Sequence, residues 1–219
     1  MLGTSAIILA NEMVKGFSKD KGTMLIDNKA LIRHVFDAVN PVVDEVIIVT
    51  STQERMHEYA KFLPKTVKFI TTDNNQQQSP SLLNGAITGL EIAQGKYALL
   101  LPYDAPLFSR ELAIFLLDLA IGKMAAVPRS SKNEIEPLCS AYQTKAVLEI
   151  AKQVVAEDMM ADLFVLVEKL RGVRYISMSV IEQMDLEMKT FFRINTPLDI
   201  KRATVMLQGK NKQQYRKRK

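Results

Sequence analysis

The sequence predicts an α/β fold in which a mostly parallel sheet lies between two layers of helices, a three-layer Rossmann-like arrangement. Short apolar, β-branched runs alternate with segments of helical periodicity, as in parallel βαβ units. Of the 219 residues, 47% are hydrophobic and only 7% aromatic, so the chain can bury a sizeable core of aliphatic side chains. Polar loops follow several strand candidates, and open α/β sheets bind ligands at that end of their strands.

The first 130 residues have the most regular alternation. Apolar runs predict strands at Ala6–Leu9, Val46–Thr50, Val67–Ile70, Tyr97–Leu101 and Ala125–Pro128. Helical patterns lie between them at Ala30–Val39, Gln53–Phe62, Ser81–Ala93 and Ser109–Ala120. Ser81 and Ser109 are placed as N-caps, because a serine hydroxyl can accept hydrogen bonds from the amides of a first helical turn. We expect the strand that ends at Leu101 to be central in the sheet.

The alternation loosens after Pro128, where we predict an added antiparallel strand and a helical excursion up to Met188. The strand candidates there are Glu136–Tyr142, Arg174–Met178 and the short Phe191–Asn195. Helical patterns cover Thr144–Val155 and Ala161–Leu170. A last helix should open at Pro197 and run to about Leu207, because proline is favoured in the first turn of a helix.

Most of the excess positive charge lies at the C-terminal end of the chain. The formal net charge is +5, but residues 210–219 hold six Lys and Arg and no acidic residue. The remainder carries 23 basic and 24 acidic residues, so the body has no electrostatic footprint for a polyanion. We predict a single domain over residues 1–209 with a basic tail at 210–219, and no nucleic-acid partner for the body. A weak contact of the tail with RNA or an acidic partner stays open.

The sequence has no feature typical of a membrane or secreted protein. No apolar run reaches the ~18 residues that a membrane-spanning helix needs, and the first residues lack a basic signal-peptide region. The single cysteine, Cys139, suits a reducing compartment. We therefore expect a cytoplasmic protein without a membrane partner, as a monomer or a homo-oligomer.

A carboxylate follows the central strand in a restrained turn. Asp104 lies between Pro102 and Pro106, whose rings fix the backbone φ angle. At the carboxyl end of a strand, this side chain is well placed to hold Mg²⁺ against a phosphate. The alternative, that Asp104 caps the next helix, is weaker, because Ser109 is closer to the helix start.

The loop after the first strand could wrap a triphosphate. Residues 11–22 contain two glycines and three lysines, including Lys21, and follow the carboxyl end of a strand. The spacing matches neither a Walker A loop nor the GxGxxG fingerprint. An exposed basic loop is the alternative. The only histidines, His34 and His57, lie in predicted helices, which argues against a Ser-His-Asp triad or a histidine-based zinc site.

Taken in order, these segments resemble the molybdenum cofactor guanylyltransferase family, within the wider class of nucleotidyltransferases. The similarity runs from about residue 5 to about residue 205. The segments that carry it are Ile7–Ala10, Asp20–Gly22, Met24–Ile26, Lys29–Ile32, Glu45–Thr50, Ser79–Leu83, Gly89–Leu90, Leu101–Pro106, Glu136–Leu138 and Ile194–Ile200. The resemblance implies a fold of the nucleotide-diphospho-sugar transferase type.

The resemblance also implies a reaction in which GMP moves from GTP to the phosphate of molybdopterin, with Mg²⁺ as cofactor and pyrophosphate as product. Lys21 and Asp104 would be the catalytic residues, Asp104 as metal ligand and Lys21 as a countercharge to the triphosphate. Nucleotide-binding positions would be Leu9, Ala10, Asn11, Lys21, Ser51, Asp73 and Asp104, while Asn195 would bind the acceptor.

Two departures from the family pattern keep alternatives open. Asn11 and Glu12 stand where the family normally has two glycines, and Arg193 stands where it often has another Asn. One alternative is a related nucleotidyltransferase that uses CTP, or that acts on a cobinamide or phospholactate acceptor. The other is a non-catalytic nucleotide-binding protein that has lost the glycine pair.

Overall fold

The apolar runs of the sequence form the strands of one large sheet. The computed structural model describes residues 3–11, 20–72 and 81–217, with side chains up to residue 208. The strands are β1 (Thr4–Ala10), β2 (Leu25–Ile26), β3 (Lys29–Ala30), β4 (Glu45–Thr50), β5 (Lys68–Thr71), β6 (Tyr97–Pro102), β7 (Ala125–Arg129), β8 (Ser140–Gln143) and β9 (Val173–Ser177). All of them except β2 and β3 belong to this sheet.

Helices connect the strands of the sheet, as predicted for βαβ units. They are α1 (Leu31–Val39), α2 (Gln53–Ala60), α3 (Leu82–Ile92), α4 (Arg110–Ala120), α5 (Thr144–Glu157), α6 (Leu163–Lys169), α7 (Met178–Met184) and α8 (Pro197–Lys217). The Ser81 hydroxyl accepts from the Asn84 amide at 3.1 Å, and the Ser109 hydroxyl accepts from the Leu112 amide at 3.0 Å. Both predicted N-caps are therefore confirmed.

The strand order of the sheet is β5-β4-β1-β6-β8-β7-β9. All neighbouring pairs are parallel except those of β8, which runs antiparallel to both β6 and β7. The predicted fold class, the central position of the strand that ends near Leu101 and the added antiparallel strand are all confirmed. Among the described residues, no helix is long and apolar enough to cross a membrane.

The central strand β1 is buried on both faces, which explains why it reads as a continuous apolar run. Ile8 belongs to a core cluster shared with residues of α1 and α4. Ile7 and Leu9 belong to a second cluster shared with residues of α3, α5 and α6. Successive side chains of a strand point to opposite faces, so the sheet separates these two helical layers.

The register of the parallel strands brings their carboxyl ends to one edge. Leu9 lies beside Val49 of β4 and beside Pro102 of β6. The Tyr103 amide also donates to the Leu9 carbonyl at 3.2 Å, which joins the turn after β6 to the end of β1. Side chains that follow these strands are therefore neighbours in space, although almost a hundred residues separate them in sequence.

Several predicted boundaries after residue 130 are wrong. The strand Glu136–Tyr142 begins only at Ser140, because Cys139 has a left-handed φ of 56° and Pro137 has no amide to donate. The predicted strand Arg174–Met178 agrees with β9 (Val173–Ser177) to within one residue, but helix α7, which follows it directly, was not predicted. The last helix continues past Leu207 to Lys217.

The predicted strand Phe191–Asn195 is also wrong. A 3₁₀ turn covers Lys189–Phe191, and no regular structure follows before α8. The Ile194 amide donates to the Asp104 carbonyl at 3.0 Å, and its carbonyl accepts from the Lys21 ammonium at 2.6 Å. This segment is thus held by single bonds to two loops of the site, rather than by the ladder of a sheet.

We predict that Gly95→Ala lowers the free energy of unfolding by about 1–3 kcal/mol, because the added methyl group has no room. A Cβ at Gly95 would lie 2.5 Å from the Ser5 hydroxyl oxygen, 2.6 Å from the Ser5 nitrogen and 2.6 Å from the Thr4 carbonyl carbon. Gly3→Ala is the control, since its Cβ would meet no atom closer than 3.7 Å. Urea unfolding of both variants checks this, and equal stabilities would contradict it.

Candidate active site

The candidate site is built around Asp104, two residues beyond the end of β6. Asp104 is only 2% exposed, so its negative charge has little access to water. A buried carboxylate is costly unless it is paired and hydrogen-bonded. Two cationic side chains, from opposite ends of the chain, satisfy this requirement.

The first of these cations is Lys21, which is 3% exposed. It begins a 3₁₀ turn over Lys21–Thr23, and its Nζ donates to Asp104 Oδ2 at 2.6 Å and to the Ile194 carbonyl at 2.6 Å. The ammonium also lies 5.1 Å from the centre of the Tyr103 ring. The structure therefore brings together the two residues for which the family resemblance implies a catalytic role.

The second cation is Arg193, whose Nε donates to Asp104 Oδ1. Burial alone would lower the pKa of this guanidinium, but the charge of Asp104 and its hydrogen bond raise it above the usual value. Glu136 lies near Arg193; burial raises the pKa of this carboxyl group, and the charge of Arg193 opposes that shift. The sequence marked Arg193 only as a departure from the family pattern and gave no sign of this pairing.

Hydrogen bonds of Asp20 with Arg55 and Tyr59 fix the turn that carries Lys21. Asp20 Oδ1 accepts from the Gly22 amide at 2.8 Å and from the Tyr59 hydroxyl at 2.6 Å. Its Oδ2 accepts from Arg55 Nε at 2.6 Å. Sequence reasoning missed Arg55 and Tyr59. For Asp20 the sequence did contain a local signal, the order Asp-Lys-Gly, because aspartate favours turns.

Two tyrosines close to the site, Tyr59 and Tyr103, remain neutral. Burial raises the pKa of Tyr59; the positive charge of Arg55 opposes the shift and the charge of Asp20 adds to it. Burial also raises the pKa of Tyr103, and the nearby charge of Asp104 acts in the same direction. Both hydroxyls therefore retain their protons at neutral pH, and Tyr59 serves as a hydrogen-bond donor to Asp20.

The end of β1 is closed by the Asn11 side chain. Asn11 is fully buried, and its Nδ2 donates to the Ser81 carbonyl at 2.7 Å. Its Oδ1 accepts no hydrogen bond from the described residues. The amide lies against the helix backbone at Gly85, where a Cβ would come within 2.7 Å of it. Asn11 therefore ties β1 to the start of α3.

The other predicted site residues are more dispersed. Leu9 and Ala10 are buried at the end of β1, beside Asn11. Ser51 follows β4, and its hydroxyl accepts from Arg55 Nη1 at 3.1 Å. Asn195 is exposed next to Ile194, and its backbone N–H donates to Asp199 Oδ2 at 3.1 Å. Asp73 and residues 12–19 of the basic loop lie outside the described residues.

The donor set around Asp104 does not fit a divalent cation as it is arranged. Mg²⁺ is usually held by one or two carboxylates together with substrate phosphates and water. Here Lys21 already occupies one carboxylate oxygen of Asp104 and Arg193 the other. Over the described ranges, no group of three His, Cys, Asp or Glu side chains could hold a metal. A metal at Asp104 would first have to displace one of these cations.

The arrangement is well suited to phosphate chemistry. Lys21 and Arg193 place two positive charges around one negative charge at the edge where three parallel strands end. Fixed cations of this kind can bind phosphate groups and stabilise charge that develops on phosphate oxygens. The cluster is therefore a candidate site for phosphoryl or nucleotidyl transfer.

Comparison with known proteins agrees with this chemistry. A family model described as "MobA-like NTP transferase domain" matches residues 6–167. A "Probable molybdenum cofactor guanylyltransferase" from Methanosarcina acetivorans is 27% identical over 214 residues, covering 94% of this chain and 92% of that protein. One from Natranaerobius thermophilus is 25% identical over 203 residues, covering 91% and 94%.

Solved structures show the same fold. "Molybdopterin-guanine dinucleotide biosynthesis protein A" from Archaeoglobus fulgidus superposes with a TM-score of 0.75 at 20% identity, covering 94% of this chain and 99% of that one. The 2-C-methyl-D-erythritol 4-phosphate cytidylyltransferase of Thermus thermophilus gives 0.66 at 17% identity, covering 93% and 98%.

We predict that Asp104→Asn destabilises the protein by about 3–5 kcal/mol, since it leaves two neighbouring cations without their shared anion. Lys21→Met should cost less, about 1–3 kcal/mol, because Arg193 still pairs with Asp104. Chemical unfolding of the two variants gives the ranking. The Lys21→Met/Asp104→Asn double variant should be no less stable than Asp104→Asn, and a reversed order of the single variants would contradict the pairing.

Proposed function

This chain belongs to the MobA-like NTP transferase family, and from that premise we propose that it transfers GMP from GTP to the terminal phosphate of molybdopterin, releasing pyrophosphate. It is a nucleotidyltransferase of the molybdenum cofactor guanylyltransferase type. The names of its full-length relatives support GTP and molybdopterin as the two substrates.

The observation that carries the proposal is the buried contact between Lys21 and Asp104. It joins residues that are 83 positions apart in sequence, Lys21 in the 3₁₀ turn and Asp104 just beyond the carboxyl end of β6. Ligands of open α/β sheets bind at such edges. A buried lysine held by a carboxylate there has a fixed position from which it can meet the phosphates of a nucleotide.

In the proposed reaction, a phosphate oxygen of molybdopterin attacks the α-phosphorus of GTP. The new bond joins that oxygen to the α-phosphorus, and the bond to the bridging oxygen of the β-phosphate breaks, so pyrophosphate carries away the electron pair. No covalent intermediate with the protein is needed. Lys21 and Arg193 neutralise charge on the phosphates, and the rigid turn after β6 keeps the site oriented.

Other features of the site remain predictions. Mg²⁺ at Asp104 is one, since both carboxylate oxygens of that residue already hold cations. Base or ribose contacts by Ser51 and Asp73, nucleotide contacts by the backbone of Leu9, Ala10 and Asn11, and acceptor binding by Asn195 are others. A cytoplasmic location, a single domain over residues 1–209, and a monomeric or homo-oligomeric state also stay predictions.

A related transferase with another nucleotide or acceptor is the second candidate. The fold similarity to the Thermus thermophilus cytidylyltransferase is compatible with it, since enzymes of different base preference share this architecture. Its cation cluster would serve any nucleoside triphosphate equally. The base therefore has to be identified by a direct comparison of nucleotides.

We expect Lys21→Met to lower the turnover number at least 100-fold, which is the usual effect of removing one preorganised donor to a developing anion. The assay follows label from GTP labelled at the α-phosphate into the molybdopterin product, and counts the pyrophosphate released. Lys29→Met is the matched control, because Lys29 forms an ion pair of similar length with Asp37 on the exposed surface, at 2.7 Å. Turnover of Lys21→Met within twofold of the parent would refute the role of Lys21.

We expect GTP to bind more tightly than CTP or ATP. Titration calorimetry with the three nucleotides, each with Mg²⁺, tests this directly. A preference for CTP would favour the second candidate. Tight nucleotide binding with no pyrophosphate release from any acceptor would instead favour a non-catalytic nucleotide-binding protein.

A further inference from the structure

Arg193 is the most exposed of the three charged side chains in the cluster around Asp104. The Lys21 and Asp104 side chains are 2% and 3% exposed, whereas that of Arg193 is 27% exposed. Lys21 and Asp104 are thus both shielded from water, and the guanidinium is the most accessible group of the three. An ion that approaches Asp104 Oδ1 finds this atom already paired with the guanidinium of Arg193.

The backbone beside Arg193 is fixed, so only its side chain can give way. The Ile194 amide donates to the Asp104 carbonyl at 3.0 Å, and the Ile194 carbonyl accepts from Lys21 at 2.6 Å. These bonds anchor the chain next to Arg193 on both of the other members of the cluster. Rotation of the arginine side chain would uncover Asp104 Oδ1 and leave the backbone in place.

A triphosphate supplies the partner that would draw the guanidinium away. Arginine matches phosphate oxygens with two parallel N–H donors and is less strongly hydrated than lysine. A nucleoside triphosphate carries several negative charges, whereas Asp104 carries one. Arrival of the phosphates would therefore compete effectively with Asp104 for Arg193.

We propose that Arg193 occupies the cation position on Asp104 in the nucleotide-free protein, so that this carboxylate does not hold a divalent cation while the guanidinium is in place. The proposal rests on Asp104 being the metal ligand of the proposed function. Arg193 thus acts as a positioning residue that controls access to the carboxylate.

Direct Mn²⁺ binding, without nucleotide or acceptor, tests the proposal. Electron paramagnetic resonance measures free Mn²⁺ in titrations of the parent protein, Arg193→Gln and Arg33→Gln. We expect weak binding by the parent and at least tenfold tighter binding by Arg193→Gln. Arg33→Gln is the matched control, because Arg33 Nε pairs with Asp37 Oδ1 at 2.6 Å on the surface, through the same pair of atoms. Its affinity should equal that of the parent.

A double variant identifies the carboxylate responsible. Arg193→Gln/Asp104→Asn should lose the tighter Mn²⁺ binding, and retention would overturn the proposal, because the metal would then lie elsewhere. Equal Mn²⁺ affinity of the parent and Arg193→Gln would also overturn it. Arg193→Met removes the same charge and serves as a second variant if Arg193→Gln does not fold. Mn²⁺ binding by the nucleotide-free parent as tight as that of a typical dedicated metal site would overturn the proposal without any variant.

The result is separable from that of the turnover assay. If no pyrophosphate is released but Arg193→Gln gains Mn²⁺ affinity, the proposed function fails and the role of Arg193 stands. If the parent transfers GMP but Arg193→Gln shows no gain, the proposed function stands and the role of Arg193 fails.

Discussion

The buried negative charge of Asp104 is the constraint on which the arrangement of the site depends. A carboxylate in this position is tolerated only with opposite charges and hydrogen-bond donors around it. Lys21 and Arg193 meet that need, and they come from segments near the two ends of the chain. One side chain therefore determines where the turn after β1 and the segment before α8 must lie. The ion pairs fix the positions of these two segments. They add little net stability, because a buried pair is seldom more stable than an apolar replacement.

Contacts of Asp20 with Arg55 and Tyr59 hold the turn that carries Lys21 in a fixed position relative to the sheet. Arg55 and Tyr59 lie on helix α2, which follows strand β4. The register of β4 against β1 is set by six residue pairs. Both side chains bond to Asp20, the residue before Lys21. The position of Lys21 thus depends on that of Asp20, and the position of Asp20 depends on Arg55 and Tyr59 of helix α2. Preorganisation of this kind lowers the cost of orienting phosphates at the moment of reaction.

The parts of the structure that depend on local pattern were predictable from sequence. Strands β1, β4, β6 and β7 are almost entirely buried, so their apolar runs are long. The bounds of the five strands predicted before residue 130 agree with the structure to within about two residues. Asp104 was recognisable because it follows such a run between prolines. The segment before α8 was not predictable, because long-range hydrogen bonds of the Ile194 backbone to Asp104 and Lys21 determine its conformation. The contact of Arg193 with Asp104 spans 89 positions, and no local signal in the sequence specifies it.

The separation of 89 positions between Asp104 and Arg193 has a consequence for biosynthesis. Proteins emerge from the ribosome with their N-terminal segments first. Strands β1, β4, β5 and β6 are complete once residue 102 has been made, but the last partner of Asp104 is added more than ninety residues later. Until then, the carboxylate has only Lys21 as a cationic neighbour from this cluster. The candidate site is therefore completed long after the strands that carry Asp104, and a chain that stops before Arg193 would contain all seven strands of the large sheet without a completed site.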